Sequence, residues 1–364
     1  MPIPLHTIEP ILNALSLSNL DHLQLFDAAR IVTLHHPPFN PDVGVLIFSP
    51  EVSTFSQIKR VLLNQYDVSH PVSAVSATPE LRVEHLSLGN MDRWTPAWKI
   101  VALYVPPLGD AGSFEQFQEI IAHLRAPEGC PWDRKQTHTS LRPYLLEEAY
   151  EVLDALDAGD ITALREELGD LLLQIVLHSQ IAVDEGEFRM ADVIAAINAK
   201  IIRRHPHVWG AVEVNDDQDV KVNWDRLKQA EKNEERESRL DGVPKSLPAL
   251  SQAYSYQDRA ARVKFDWETI EPVIAKVHEE MAEVLAAVDE ESRSQEVGDL
   301  LFAVVNWARW IGVDPESALR GANSRFYRRF KYIEQQSAAQ GLDLADMTLA
   351  EMDALWNEAK ANGL

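Results

Sequence analysis

From Phe114 onward, apolar residues recur at three- and four-residue intervals through 114–124, 140–157, 161–185 and 190–204. This is the period of helices that bury one face. Gly159-Asp160 breaks the pattern and predicts a tight turn between two antiparallel helices. A second helical region runs from about Ser246 to the C-terminus, with its own hairpin across 272–311. Ahead of Phe114 the pattern differs. Val43 to Phe48, Val72 to Ala77 and Ile100 to Val105 are short apolar runs suited to buried strands, the last stopped by Pro106-Pro107. Ser53-Thr54 opens a helical pattern through Ile58, Val61 and Leu62, and Gly109 to Ser113 has linker composition. The stretch 221–239 reads as a highly charged helix or linker, ended by Asp241-Gly242-Val243-Pro244. The expected fold class is mainly α, with two tandem all-α helical units and a smaller N-terminal α/β domain. The boundaries fall at 1–108, 114–230 and 241–364.

The polar positions of the two hairpins repeat one another. Glu147-Glu148-Ala149-Tyr150-Glu151 precedes Glu167-Leu168-Gly169-Asp170, and Glu279-Glu280-Met281-Ala282-Glu283 precedes Glu296-Val297-Gly298-Asp299. Each copy reads EExxE and then ExxD, with its paired acids one helical turn apart on one face. Strongly apolar runs follow, Leu171 to Leu177 and Leu300 to Val305. A helix apolar on nearly all sides is expected to be buried, its first turn carrying the acid pair into or beside the core. Buried carboxylates repel one another unless protonated, paired or metal-bound. Hard oxygen ligands of this kind suit Mg²⁺ or Mn²⁺. The candidate metal ligands are Glu280, Glu283, Glu296 and Asp299 in the second copy and Glu148, Glu151, Glu167 and Asp170 in the first. A single EExxE would read as a solvated face. Recurrence of both elements, in order and with matching apolar contexts, favours the metal.

A basic element follows each acidic one. Asn198-Ala199-Lys200-Ile201-Ile202-Arg203-Arg204 matches Asn323-Ser324-Arg325-Phe326-Tyr327-Arg328-Arg329. Arg325, Arg328 and Arg329, with Asn323, could bind triphosphate oxygens by forked hydrogen bonds, and Lys200, Arg203 and Arg204 could do the same. A solvated helix end is the competing reading. Lys276, one turn before Glu280, could reach phosphate or make a surface ion pair with Glu279. Pro131-Trp132-Asp133 and Phe265-Asp266-Trp267 precede the two cassettes; these rings, like Trp356, could stack on a nucleobase or pack in the core. His205-Pro206-His207 favours a structural role.

The bulk numbers narrow the partners. Net charge is −23, from 34 basic and 57 acidic residues, which argues against a nucleic-acid polymer or an anionic membrane surface. A free nucleotide carried with its own metal remains compatible. Cys130 is the only cysteine, so no intrachain disulfide forms and a reducing cytoplasm is expected. Met1-Pro2-Ile3-Pro4 shows no signal-peptide pattern, and no apolar stretch approaches the roughly 20 residues that span a bilayer. Neither a GxxxxGK[ST] loop nor a GxSxG elbow is present.

Residues 114–364 resemble a tandem MazG-type nucleoside triphosphate pyrophosphohydrolase. The likeness rests on Gly129 to Asp133, Leu141-Arg142-Pro143-Tyr144, both cassettes, Arg203-Arg204-His205-Pro206-His207-Val208, Lys264 to Trp267, Gly298 to Phe302, and Asn323 to Phe330. It implies an all-α bundle, usually dimeric, that hydrolyses NTPs or dNTPs to monophosphate and pyrophosphate with Mg²⁺. It further implies that Glu280, Glu283, Glu296 and Asp299 hold metal, that Lys276, Arg325 and Arg329 meet phosphates, and that Trp356 lies near the nucleotide. In tandem members the C-terminal unit is typically the active one, yet here the first copy also keeps all four acids. The expected chemistry is hydrolysis at the α-phosphorus, with Glu279 or Glu280 assisting as base, a reaction that would serve nucleotide-pool house-cleaning. The alternative is a non-catalytic dimeric scaffold that binds nucleotide or a partner. Residues 1–108 resemble the C-terminal half of a tetrapyrrole (corrin/porphyrin) methylase domain, on Leu25 to Ala28, the 35–60 stretch and Leu103 to Leu108. The Gly-rich half that helps bind S-adenosylmethionine has no counterpart, so a structural or partner-binding role is expected.

Overall fold

A computed structural model describes residues 7–17, 21–77, 80–109, 112–214, 216, 219–220, 223–224, 227 and 238–364. Most of the charged stretch 221–239, the linker residues Asp110 and Ala111, and the boundary read at 230 lie outside the described residues. The chain divides into two compact units, Met1–Ala196 and Ile197–Leu364.

The first unit begins with α1 (Ile8–Ala14), β1 (Gln24–Asp27), α2 (Ala28–Ile31), β2 (Val45–Phe48), α3 (Phe55–Leu62), β3 (Pro71–Ser76), β4 (Arg82–Ser87) and β5 (Ile100–Val105). The strands form one sheet in the order β1-β2-β5-β3-β4. β1 and β2 are parallel, and the other pairs are antiparallel. All four residues of β2 are buried because both faces of the sheet are covered. Val45 and Ile47 join Phe55, Ile58, Val61 and Leu62 of α3 in one core. Leu46 and Phe48 turn the other way, into a second core with Ile11, Val75 and Tyr104. The three strands anticipated from apolar runs are the inner ones. β1 and β4 stand at the sheet edges, where burial is partial and polar residues such as Arg82, Glu84 and His85 intervene, so they leave no comparable run.

The helical part of this unit follows directly. Asp42 accepts from the backbone of Gly112 and Ser113 at 3.0 and 3.1 Å. Ser113 in turn caps α4 (Phe114–Arg125) by accepting from Gln116 N. Beyond it lie α5 (Arg142–Ala158), α6 (Ile161–Glu185) and α7 (Met190–Arg204), the last spanning the division between units. Ile121, Leu141, Val176, Leu177, Ile181 and Met190 form the helical core.

The second unit continues with α8 (Pro206–Trp209), α9 (Ala249–Ala261), α10 (Ile270–Ala286), α11 (Glu290–Trp310), α12 (Pro315–Ala339) and α13 (Leu349–Ala361). The mainly α class with a small α/β region is therefore observed. One expectation is corrected. The acid pairs do not sit in first turns: α6 already begins at Ile161 and α11 at Glu290, so Glu167, Asp170, Glu296 and Asp299 lie in helix interiors. Nor are these helices buried all round, because each hairpin covers only part of its circumference; Leu301 and Phe302 stay 52% and 46% exposed. Among the described residues, no helix is long and apolar enough to cross a membrane.

Candidate functional site

Both acidic clusters are products of a helical hairpin with a short, well-capped turn. α5 ends on Gly159 at φ +67°, the left-handed conformation a glycine adopts without strain. Asp160 then caps α6, accepting from Thr162 N and Ala163 N. In the second hairpin, Asp289 caps α11 by accepting from Ser292 N at 2.8 Å. These turns fold one helix back on the other and bring EExxE against ExxD.

The result is the same in both copies. Carboxylate oxygens of Glu148, Glu151 and Glu167 lie within 4.8 Å of one another, as do those of Glu280, Glu283 and Glu296. Burial, followed by the charges of Asp170, Glu151 and Glu147, raises Glu148 above the usual carboxylate range. Burial and then Glu151 do the same for Glu167. In the second cluster, burial and the neighbouring Glu280 and Glu296 raise Glu283. Mutual repulsion of this kind is relieved by a shared divalent cation, and all-carboxylate donors fit a hard one.

The second cluster has two features of its own. Glu280 is only 4% exposed, and its Oε1 lies 2.7 Å from Lys276 Nζ, which also donates to Glu279 Oε1 at 2.8 Å. The hydrogen bonds from the lysine to Glu279 and Glu280 hold it firmly protonated. Beside this pair opens a cavity of about 390 Å³, whose wall includes Lys276, Glu280, Asp299, Trp267, Phe302 and Gln257. That volume is in the range of small-molecule sites. Asp299 thus joins Lys276 and Glu280 at the cavity.

The cavity floor is held by a polar knot. Asp266 accepts from Arg309 Nη2 at 2.7 Å and from Trp310 Nε1 at 3.0 Å. Burial opposes the Asp266 charge, but these hydrogen bonds and the guanidinium outweigh it and hold the carboxyl below its usual range. Asn306 Oδ1 accepts from the same guanidinium at 3.1 and 2.8 Å. Arg259 donates to the carbonyls of Leu240, Asp241 and Gly242, fixing the loop that brings Leu240 to the cavity.

The remaining expected residues lie elsewhere. Asn323, Arg325 and Arg328 are exposed on α12, and none of them lines the cavity. Arg329 donates Nε to the Leu364 carbonyl at 2.7 Å and stacks its guanidinium over the Trp356 ring at 5.3 Å. Trp356 also packs against Phe326. Lys200, Arg203 and Arg204 occupy the last turns of α7, and His205 packs edge-on to Trp209 and Trp224. The sequence reading did not single out Gln257, Asn306 or Arg309. Asn306 had a signal, since it interrupts the apolar run Ala303-Val304-Val305; Gln257 had none. A third group, His138 with Glu185 and Glu187, also gathers its side chains within 4.8 Å, and no local motif announces it.

Comparison with known proteins bears on this geometry. Residues 136–209 match the MazG nucleotide pyrophosphohydrolase domain, a span that holds the first acidic hairpin. The chain is 45% identical over 248 residues to the nucleoside triphosphate pyrophosphohydrolase/pyrophosphatase MazG of Thermotoga maritima, covering 68% of this chain and 95% of that protein. It is 46% identical over 248 residues to the nucleoside triphosphate pyrophosphohydrolase of Escherichia coli K12, covering 66% of this chain and 94% of that one. The uncharacterized protein YabN of Bacillus subtilis is 46% identical over 319 residues, 84% of this chain. This chain spans 65% of the length of YabN.

Proposed function

This chain belongs to the MazG family of nucleotide pyrophosphohydrolases, and from that premise we propose that it hydrolyses nucleoside triphosphates, ribo or deoxyribo, to the monophosphate and pyrophosphate with Mg²⁺. The observation that carries this reading is Glu280, a carboxylate withdrawn from water that is gathered with Glu283 and Glu296 and also lines a cavity. Glu280, Glu283 and Glu296, with Asp299 beside them in the cavity wall, would hold the cation. When bound, it supplies Lewis-acid neutralisation of the triphosphate oxygens.

The chain's own groups do the rest. Lys276, kept charged by its two glutamates, meets a phosphate oxygen from inside the cavity. The oxygen of a water adds to the α-phosphorus, and the bond from that phosphorus to the bridging oxygen of the β-phosphate breaks. Glu279 or Glu280 accepts the water's proton, and pyrophosphate leaves with the bonding electron pair. Asn323, Arg325 and Arg328 are exposed on α12, outside the cavity wall; their assignment to the charge of the leaving group rests on the sequence pattern and not on a contact with the cavity. Arg329 keeps its terminal nitrogens for phosphate while its Nε holds the chain end. The protein works in the cytoplasm as a homodimer in this reading. Leu285 and Val288 at the tip of the second hairpin, 86% and 90% exposed, support a covered hairpin in the assembly.

The test is pyrophosphate release from a panel of NTPs and dNTPs, with Mg²⁺ and with EDTA. Metal-dependent pyrophosphate with an equal amount of monophosphate is the expected result. Silence across the panel sinks the enzymatic reading and leaves a nucleotide- or partner-binding scaffold.

A further inference from the structure

The wall of the cavity beside the second acid cluster mixes charged side chains, Lys276, Glu280 and Asp299 among them, with the rings of Tyr256, Phe265 and Trp267. In the same wall sits a polar side chain with unfinished hydrogen bonding. Gln257 is 8% exposed, and its Nε2 donates to the Phe302 carbonyl at 2.8 Å. A carbonyl can only accept, so this bond fixes which end of the amide faces α11. The other end, Oε1, is buried and meets no donor among the described residues. The nearby guanidinium of Arg309 is engaged by Asp266 and Asn306.

A buried carbonyl oxygen with no donor costs roughly 1–3 kcal/mol. Groups of this kind persist where a ligand completes them. On the premise that the site binds a nucleoside triphosphate, we propose that the aromatic side chains of this cavity seat the nucleobase and that Gln257 Oε1 accepts a hydrogen bond from its exocyclic amino group. The preferred substrates are then triphosphates of amino-bearing bases. A base presenting a carbonyl oxygen there sets acceptor against acceptor, and one presenting only a carbon-bound hydrogen leaves Oε1 as it is in the free protein. Asp266 lines the same cavity and is tied to α11 through Arg309 and Trp310.

The experiment compares kcat/KM for ATP with that for purine riboside triphosphate, in which hydrogen replaces the amine, using the full-length protein and Mg²⁺. CTP and UTP form a second pair. A site built to hydrogen-bond an amine rejects the analogue lacking it, and the cost above corresponds to about 10- to 100-fold in favour of ATP and of CTP. Gln257→Met, near in volume, collapses both ratios towards one, with its folding checked by its unfolding transition. Ratios within twofold in the unmodified protein overturn the Gln257 assignment while leaving the hydrolase reading intact. Ratios that persist in Gln257→Met also overturn it, because the amine is then read elsewhere. No pyrophosphate from any triphosphate overturns the nucleotide site itself, and this inference with it.

Discussion

Lys276 Nζ lies 2.7 Å from Glu280 Oε1, so the most buried acid of the second cluster is already paired with a cation of the chain itself. A divalent ion entering the cluster meets this ammonium as a like charge. Lys276→Met should therefore tighten Mn²⁺ binding several-fold, read by calorimetry, while lowering kcat/KM at least about tenfold through loss of a phosphate contact. A lysine that serves only as an ion pair would tighten Mn²⁺ binding in the same way but leave kcat/KM unchanged.

The two clusters share their three-carboxylate geometry, and the second adds the Lys276 pair and a cavity wall that includes Glu280 and Asp299. Glu283→Gln and Asp299→Asn should each cut turnover about 100-fold or more, with far-ultraviolet circular dichroism unchanged. Glu151→Gln and Asp170→Asn should cost much less. Losses of only about half in each set would make the first hairpin a second, independent active centre.

Asp266 offers a pH signature independent of catalysis. Its carboxyl is held below the usual range in the folded protein, so the folded state binds the proton less tightly than the unfolded chain does. The stabilisation is fully present above the unfolded value, about pH 4, and is lost as pH falls through the lowered one. Asp266→Asn should destabilise the protein by about 3 kcal/mol near neutral pH by stranding the Arg309 guanidinium. The difference in Tm from the parent should narrow below about pH 4. A constant difference across that range would show that the loss comes from packing alone.

Much of this was written locally in the sequence. Glu148, Glu151, Glu167 and their counterparts were legible because helical spacing fixes which residues share a face, and Gly159-Asp160 marks where the helix folds back. The inner strands were legible as apolar runs. What escaped depends on residues far apart in the chain. Gln257 meets Phe302 across two helices, and Asp266 meets Arg309 in the same way; nothing near either residue encodes its partner. The exposure of Leu301 escaped for the opposite reason, since an apolar run records preference for burial and not which neighbour supplies it.

Gly298 lies inside α11, and a Cβ built there would meet no atom within 4 Å. A glycine in a helix interior costs about 1 kcal/mol relative to alanine. Gly298→Ala should therefore raise stability by about that amount, measured by urea unfolding. Its activity is the informative readout: a fall in kcat/KM despite a stabler fold would show that the vacant space beside Glu296 and Asp299 is occupied during turnover.

Each acidic cluster is closed entirely within one hairpin, from helices joined by a turn of a few residues. Such contacts have low sequence separation, and loop closure on this scale takes well under a millisecond. The hairpins can therefore assemble ahead of the sheet, whose parallel β1/β2 pair and β2/β5 pair join distant segments. Charge repulsion among the glutamates then opposes the earliest folding step, so divalent cations should accelerate refolding of the hairpins.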